Sequence, residues 1–344
     1  MKAVLLKQPK NFVLTDIDEA AEPGAHEATV RVHNVGICGS DISGYLGKMP
    51  FYSYPRIPGH ELGVEVVAVG KDVENVVVGD KCSVEPYINN PNSYASQQGC
   101  PNCCNDLEVL GVHRDGGLRP RFNVLARKLH ASSSLTTEQL ALVETLGIGC
   151  HAVERADPKP HDIVLTIGAG PIGLSVLEFV RLRGARSIVM DLNQQRLDFC
   201  KQKMGVDDTI VFSGDGSNAL AEFTEITNGN LAKVVFDATG NNVSMSNAYN
   251  FVGYTGKLVW VGLTTTPLTF TQKQMHAREM TFLASRNALP EDFRKIITHI
   301  EQGEIDTRPW ITHRSKMEEL IDVFPNYINP ESGVIKAMVA VEDS

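Results

Sequence analysis

Short apolar runs alternate with helical segments through the middle of this 344-residue chain. The predicted strands lie at 162–167, 187–191, 209–212, 233–238 and 257–261. The predicted helices between them lie at 171–183, 193–203, 218–227 and 243–251. This alternation is typical of βαβ units, in which each helix crosses over the sheet before the next strand is added. The middle of the chain therefore predicts an α/β fold with a doubly wound parallel sheet.

A glycine-rich turn, Gly168-Ala169-Gly170-Pro171-Ile172-Gly173, follows the first of these strands and opens the first helix. The pattern G-x-G-x-x-G alone is a weak signal, but here its glycines allow a tight turn, close approach to a phosphate and close helix packing. Asp191 ends the next strand, 18 positions after Gly173. A carboxylate there accepts hydrogen bonds from ribose hydroxyls and repels a 2′-phosphate, so we expect NAD rather than NADP. A turn that only packs a strand on a helix is the competing interpretation.

Further cofactor contacts are predicted where later strands of this sheet end, because ligands of parallel sheets bind at the carboxyl ends of the strands. The candidates are Arg196, Thr239, Gly240, Val261, Gly262, Leu263, Ser285 and Arg286. For the turns at 239–240 and 261–263, an ordinary structural role is nearly as good an interpretation.

The charge and apolar content of the chain limit its partners. A net charge of −9 and an isoelectric point near 5.6 argue against nucleic acid, which needs a basic face. No apolar run reaches the length of a bilayer helix, and the N-terminus becomes polar too quickly for a secretory signal. Seven cysteines, an odd number, fit a reducing compartment. We therefore expect a cytoplasmic protein that binds neither nucleic acid nor membrane.

Two short motifs 22 residues apart contain metal-ligand chemistry, within a region of short predicted strands from 1 to about 145. They are Cys38-Gly39-Ser40-Asp41 and Gly59-His60-Glu61. A thiolate, an imidazole and a carboxylate fit a tetrahedral Zn²⁺ site whose fourth position stays open, as in catalytic centres. A Lewis acid and a nicotinamide cofactor on one chain predict alcohol oxidation by hydride transfer.

Together with further motifs, these residues resemble the zinc-dependent medium-chain alcohol dehydrogenases, and within them the sorbitol, threonine and L-galactonate dehydrogenase branch. The matching segments are 36–41, 58–61, 109–113, 115–117, 144–146 and 168–173, with 285–288 and 290–293 most similar to sugar-acid members. The resemblance implies a GroES-like catalytic domain formed by residues 1–150 and 286–344. It places a Rossmann-type NAD-binding domain, residues 151–285, between them.

The resemblance also implies a catalytic zinc bound by Cys38 and His60, together with Glu61 or Glu144. Zinc binds one carboxylate directly and the other through water, and both assignments stay open at this point. Ser40 resembles the first hydroxyl of the family's proton relay, although a hydroxyl there can also cap a helix.

Substrate recognition is predicted from the similarity to sugar-acid enzymes. An aldonate carries a carboxylate, which a guanidinium binds with two hydrogen bonds, so Arg286 is the candidate, with Asn287 and His113 as partners. Pairing of Arg286 with a local acid such as Glu279, or contact with the cofactor, is an equal alternative. The resemblance further implies a homodimer or homotetramer joined through edge strands of the dinucleotide domain, with 281–285 as the candidate edge.

One lobe departs from the pattern of the family, in which four cysteines spaced C-x2-C-x2-C-x7-C bind a structural zinc. Asn90, Ser93, Ser96 and Cys104 stand at that spacing in this chain. Amides and hydroxyls replace thiolates poorly, so we expect one catalytic zinc and no structural zinc. The remaining candidate for a second metal is the cluster of Cys82, Cys100, Cys103 and Cys104.

The leading hypothesis is an NAD- and zinc-dependent dehydrogenase that converts a secondary alcohol of a sugar acid or polyol to a ketone. A second hypothesis is an NAD(H)-binding redox or regulatory protein with weak or no turnover, against which the intact Cys38, His60 and Glu61 count. A third is a zinc-free quinone reductase, against which Asp191 also counts.

Overall fold

Backbone contacts divide the chain into two compact units. The computed structural model describes residues 1–213 and 217–342. Unit 1 comprises Met1–Thr145 and Ala288–Ser344, and unit 2 comprises Leu146–Asn287. The domain limits of the sequence analysis, 1–150, 151–285 and 286–344, and the roles of the domains remain predictions. Residues 343–344 of the predicted C-terminal segment lie outside the described residues.

The elements are numbered in chain order. The strands are β1 (Lys2–Gln8), β2 (Asn11–Asp16), β3 (Glu27–Gly36), β4 (Glu61–Val69), β5 (Lys81–Val84), β6 (Tyr87–Ile88), β7 (Glu108–Val109), β8 (Arg121–Leu125), β9 (Leu129–Ala131), β10 (Ile163–Ile167), β11 (Arg186–Asp191), β12 (Asp208–Val211), β13 (Ala232–Asp237), β14 (Val252–Trp260), β15 (Thr281–Ala284), β16 (Ile311–Lys316) and β17 (Lys336–Ala340). The helices are α1 (Gly39–Tyr45), α2 (Tyr94–Gln97), α3 (Thr137–Ala141), α4 (Val143–Ala156), α5 (Pro171–Leu182), α6 (Gln194–Phe199), α7 (Ser217–Ile226), α8 (Asn242–Asn247), α9 (Gln272–Ala277), α10 (Pro290–Glu301) and α11 (Leu320–Ile328). None of the helices in the described part of the chain is both long and apolar enough to cross a bilayer.

Unit 1 is built on a mixed seven-stranded sheet in the order β16-β17-β3-β4-β5-β9, with β8 paired to β3. Its central strands are rich in valine, and Val30, Val32 and Val64 are fully buried in the core. Phe12, Tyr45 and Phe324 close one part of this core, with ring centroids 4.8–5.2 Å apart. The sheet thus supplies a rigid frame from which the loops after β3 and before β4 project.

Unit 2 is a six-stranded, wholly parallel sheet in the order β12-β11-β10-β13-β14-β15, which confirms the predicted α/β fold. Its strands are continuous apolar runs because helices cover both faces of such a sheet. The chain order reverses between β10 and β13, which lie side by side. A reversal of this kind opens a crevice at the carboxyl ends of the strands, where ligands bind.

Three predicted helices differ from the structure. The helix predicted at 243–251 ends at Asn247 as α8 and continues as a 3-10 turn, Ala248–Phe251. The helix predicted at 193–203 ends at Phe199 as α6 and continues as a π-helical turn, Cys200–Met204. The sequence also predicts a helix near 316–324, and this prediction is wrong at its start, because β16 extends to Lys316 and α11 begins at Leu320. Local periodicity does not reveal β16, since this strand is defined by its parallel pairing with β17.

Candidate metal centre and cofactor site

The pairing of β3 with β4 brings the two predicted metal motifs together. Gly36, the last residue of β3, lies opposite Glu61, the first residue of β4. Cys38 caps the N-terminus of α1 just beyond, and His60 immediately precedes β4. The ligand atoms of Cys38, His60 and Glu61 all lie within 4.8 Å of one another, and no other such group of three occurs in the described residues. A thiolate, an imidazole and a carboxylate at this distance form a donor set that suits zinc.

Asp41 connects two of these residues. The Cys38 backbone N–H donates to Asp41 Oδ2 at 2.9 Å, and Asp41 Oδ1 lies 3.8 Å from His60 Nδ1. Asp41 Oδ1 and His60 Nδ1 are buried and have no hydrogen-bond partner. A zinc-bound histidine normally donates its other ring N–H to a carboxylate, so these two atoms stand where that hydrogen bond is expected.

The charge of His60 depends on its acidic neighbours. Burial disfavours the charged ring, but Asp41 and Cys38 outweigh this effect and raise the pKa of His60 well above its ordinary value. Ser40 Oγ lies 3.3 Å from His60 Nε2. A histidine must be neutral to bind a metal, so zinc binding at this site releases a proton.

Glu61 forms a buried ion pair with Lys336, which sequence reasoning missed. The Lys336 ammonium donates to both carboxylate oxygens, at 2.6 and 2.8 Å, and to the Ile37 carbonyl at 3.2 Å. Both side chains are at most 1% exposed. A Cβ at Gly36 would lie 2.0 Å from Glu61 Oε2, so only glycine leaves room for this carboxylate. The available signal was a single charged residue, Lys336, inside the apolar run 334–341.

Glu144 lies in the first turn of α4 and is bound to a different partner. The Tyr87 hydroxyl donates to Glu144 Oε1 at 2.5 Å, and both side chains are buried. Burial and the neighbouring Glu61 raise the pKa of Glu144, while His60 and Tyr87 lower it by less. Burial and the charge of Glu144 raise the pKa of Tyr87 well above its usual range, so its hydroxyl remains a donor. No local motif pointed to Tyr87.

The glycine-rich turn of unit 2 has the close contacts predicted for it. Gly168 has φ +101°, a conformation that glycine adopts readily. A Cβ at Gly173 would lie 1.7 Å from the Gly168 carbonyl oxygen. Gly170 caps α5, whose first turn contains Pro171 and Ile172. The turn therefore brings bare backbone to the N-terminus of a 12-residue helix, where a phosphate is favoured.

Asp191 is held in place at the end of β11. Its Oδ2 accepts the Ala169 N–H at 2.6 Å and its Oδ1 accepts the Asn193 N–H at 2.8 Å. A cavity of about 410 Å³ opens beside it. Five predicted residues line this cavity, namely Gly168, Gly170, Asp191, Arg196 and Thr239. Its apolar walls, which the sequence did not predict, include Met190, Leu192, Phe212, Val243 and Phe251.

The two later turns contact each other and are organised by Asp237, another residue that sequence reasoning missed. The Val261 and Gly262 N–H groups donate to the Asp237 carbonyl at 2.9 and 3.0 Å. The Asp237 carboxylate accepts the hydroxyls of Thr239 and Ser244, each at 2.6 Å. Of the predicted residues in the described part of the chain, the following do not line the cavity: Pro171, Ile172, Gly173, Gly240, Val261, Gly262, Leu263, Ser285 and Arg286.

The three predicted substrate residues belong to different units. His113 is half-buried in unit 1, where its Nδ1 accepts the Val109 N–H at 3.1 Å. Arg286 is exposed and Asn287 is half-buried at the end of unit 2, after β15. Neither unit alone contains all three residues.

In the lobe at residues 90–104, hydrogen bonds link the residues that stand where the resembled family has four thiolates. The Asn90 N–H donates to Cys104 Sγ at 3.3 Å, and the Ser93 and Ser96 hydroxyls are 2.9 Å apart. Of the other cysteines in the candidate second cluster, Cys82 is buried in β5, whereas Cys100 and Cys103 are exposed.

Both parts of the chain match known protein families. Residues 24–134 match the alcohol dehydrogenase GroES-like domain, and residues 171–302 match the zinc-binding dehydrogenase family. Among curated proteins, the chain is 33% identical over 339 residues to L-galactonate-5-dehydrogenase of Escherichia coli K12, covering 98% of each chain.

The chain is also similar to solved structures of dehydrogenases, of which one contains NADH and another contains NADP. A short chain alcohol dehydrogenase from Escherichia coli CFT073 in complex with NADH is 28% identical, with a TM-score of 0.91 over 99% of both chains. A zinc-binding dehydrogenase from Sinorhizobium meliloti 1021 bound to NADP is 25% identical, with a TM-score of 0.90 over 98% of both chains.

Proposed function

Because this chain belongs to the zinc-binding alcohol dehydrogenase family, as its motifs predicted, we propose that it oxidises a secondary alcohol with NAD⁺ as the hydride acceptor. The observation that carries the proposal is the convergence of the Cys38, His60 and Glu61 ligand atoms within 4.8 Å. The glycine-rich turn and Asp191 on the same chain supply the matching cofactor site.

The protein residues around the metal prepare it for this reaction. Cys38, His60 and Glu61 would hold a zinc ion, and the ion would supply a Lewis acid that lowers the pKa of an alcohol hydroxyl. Asp41, whose Oδ1 lies 3.8 Å from His60 Nδ1, orients the His60 ring. Ser40 Oγ lies 3.3 Å from His60 Nε2 and is the hydroxyl that first accepts the substrate proton.

NAD rather than NADP is the proposed cofactor. Two backbone N–H groups fix the Asp191 carboxylate in position. Its remaining lone pairs can accept hydrogen bonds from ribose hydroxyls, and its negative charge would repel a 2′-phosphate. We expect Asp191→Ala to lower the ratio of kcat/KM for NAD⁺ over NADP⁺ by about 10–100-fold, the size of a lost hydrogen bond to a charged group. Steady-state kinetics with both cofactors measure this ratio, and an unchanged ratio contradicts the assignment.

The proposed substrate class is a sugar acid, with polyols as the second candidates. The E. coli relative is named for L-galactonate, and Arg286 offers a guanidinium for such a carboxylate, with Asn287 and His113 as hydrogen-bonding partners. Arg286→Ala is expected to raise KM for an aldonate while leaving KM for a neutral polyol unchanged. Equal KM changes for both substrates contradict a carboxylate-binding role.

One zinc per chain and a homo-oligomer complete the proposal. The hydrogen bonds among Asn90, Ser93, Ser96 and Cys104 support a lobe that needs no structural zinc. β15 is one of the two edge strands of the six-stranded sheet, which supports a role in assembling two or four chains. A cytoplasmic location remains part of the proposal.

The deciding experiment combines metal analysis with turnover. Purified protein is assayed for NADH formation with a panel of aldonates and polyols, before and after chelation, alongside Cys38→Ser. We expect about one zinc per chain in the wild type. We also expect turnover of an aldonate that chelation abolishes, and neither zinc nor turnover in the variant. Bound NADH and one zinc without turnover on any substrate would contradict the proposed reaction.

A further inference from the structure

Tyr87 is held in the metal centre from three sides. Its strand β6 pairs with β7, where Tyr87 lies opposite Val109. Its ring meets Phe293 of α10 edge-on, with centroids 6.3 Å apart, and is 2% exposed. Its hydroxyl donates to Glu144 Oε1. A ring packed in this way can place its hydroxyl at one fixed position.

The two carboxylates of the centre therefore have different restraints. Glu61 belongs to the group of close ligand atoms, and its partner is the side chain of Lys336. Glu144 does not belong to that group, and its Oε1 is occupied by the phenol. Both acids are buried, so burial alone does not explain which of them stands with Cys38 and His60.

We propose that Tyr87 is a positioning residue that holds Glu144 outside the ligand set of the metal, so that Glu61 is the carboxylate ligand. The hydrogen bond engages Oε1 and leaves Oε2 available to a water or substrate hydroxyl at the open position. This inference rests on the proposed function, because it requires a metal on Cys38 and His60.

The physical basis is the strength of a buried hydrogen bond to a charged acceptor. Such bonds favour the bonded arrangement by roughly 10–150-fold, and by more where water is excluded. A carboxylate released from this bond, close to a divalent cation, becomes a competing ligand. Without Tyr87, Glu144 would enter the ligand set and occupy the position that substrate needs.

The test uses the Co²⁺-substituted protein, because the visible d–d bands of Co²⁺ respond to the number and type of its ligands. In Tyr87→Phe we expect these bands to shift and lose intensity, since an additional carboxylate oxygen expands a four-coordinate site. Aldonate turnover should fall by about 10–100-fold, as is typical when a residue that supports a metal ligand is lost. Unchanged bands in Tyr87→Phe would overturn the inference.

A double-mutant cycle separates positioning from a general loss of structure. Glu144→Gln removes the competing carboxylate, so adding Tyr87→Phe to this variant should leave the cobalt spectrum unchanged. Tyr327→Phe is the matched control, because Tyr327 is also a buried tyrosine but belongs to α11 and packs on Phe324. A spectral shift in the control, or in the double variant relative to Glu144→Gln, contradicts the inference.

The cobalt spectra distinguish an error about Tyr87 from an error about the proposed function. If Co²⁺ gives no thiolate charge-transfer band, or gives the same band in Cys38→Ser, no metal binds at this centre and the proposed function fails. If the thiolate band is present and lost in Cys38→Ser, while Tyr87→Phe matches the wild type, only the role of Tyr87 is wrong.

Discussion

Unit 1 contains two buried lysine–glutamate pairs that have the same composition and different surroundings. Lys336 binds Glu61 in the metal centre, and Lys128 binds Glu85, with every one of these side chains at most 2% exposed. The second pair also includes His130, whose Nε2 lies 3.2 Å from Glu85 Oε2. Both clusters thus contain a lysine, a glutamate and a histidine.

The clusters differ in how completely their polar atoms are paired. In the metal centre, Asp41 Oδ1 and His60 Nδ1 are buried without a partner, and Cys38 adds a thiol. Among the described residues, Lys128, Glu85 and His130 leave no buried side-chain nitrogen or oxygen unpartnered. Buried charge alone therefore does not identify a functional site. Incomplete pairing together with ligand chemistry is the more informative sign.

The largest expected effect is a difference between the two pairs in how zinc changes the stability of their lysine variants. Lys336→Met removes the cation paired with Glu61, and Lys128→Met leaves Glu85 with His130 as its remaining partner. Removing one partner of a buried ion pair typically costs about 3–5 kcal/mol. With zinc, the penalty in Lys336→Met should largely disappear, because the metal replaces the missing cation beside Glu61. The penalty in Lys128→Met should stay the same. Urea unfolding of both variants with zinc and with chelator measures the difference.

Equal rescue of both variants by zinc would contradict the assignment of only Glu61 to a metal site, as would no rescue of Lys336→Met. Zinc also stabilises the wild type, and this increase in its free energy of unfolding is the baseline for judging each rescue. Zinc affinity should also be higher in Lys336→Met than in the wild type, since a competing cation has been removed.

An intermediate effect is expected from crowding Glu61 without changing any charge. A methyl group at Gly36 would meet Glu61 Oε2 at 2.0 Å and displace the carboxylate from Cys38 and His60. Gly36→Ala should weaken zinc binding by about 10–100-fold. Gly39→Ala is the matched control, because nothing lies within 4 Å of an added methyl there. Competition with a zinc chelator measures both affinities, and equal values would show that the position of Glu61 does not matter.

The smallest expected effect is an opposite response of the two lysines to alkaline pH. Burial lowers the pKa of Lys336, but Glu61 and Cys38 outweigh it and the net pKa is raised. Burial also lowers the pKa of Lys128, and Glu85 offsets only part of this. Lys336 therefore stabilises the fold below the unfolded lysine pKa of about 10.4, and this contribution is lost as pH rises through its folded pKa.

For Lys128 the sign is reversed, because the folded state binds its proton less tightly than the unfolded state. The destabilisation caused by Lys336→Met should shrink as pH rises above about 10.4, whereas that caused by Lys128→Met should grow as pH rises towards about 10.4 and then stay level, each by less than about 1.4 kcal/mol per pH unit. Unfolding of chelated protein across this pH range measures both slopes. Parallel slopes would contradict the pKa difference.

Much of the fold followed from the sequence because local patterns determine it. The alternating runs from 162 to 261 predicted the parallel sheet, since strands buried on both faces are continuously apolar. β16 was missed because it depends on β17, which lies about twenty residues further along the chain.

The residues of the candidate site were also predicted only in part from the sequence. Cys38, His60 and Glu61 were predicted to lie together because their motifs are close in sequence and chemically specific. Lys336 and Tyr87 were missed because each reaches the centre from a distant segment and carries no motif of its own. Sequence spacing identifies candidate metal ligands, whereas the residues that bind the carboxylates around them become visible only in three dimensions.

The distance along the chain between Glu61 and its cation sets an order of events during synthesis. Cys38, His60 and Glu61 come from a stretch of 24 residues, whereas Lys336 is 275 residues beyond Glu61. A chain made from its N-terminus therefore presents all three ligands long before the lysine exists. A metal ion that arrives in this interval meets a carboxylate with no internal competitor, whereas one that arrives after folding must displace a buried ammonium.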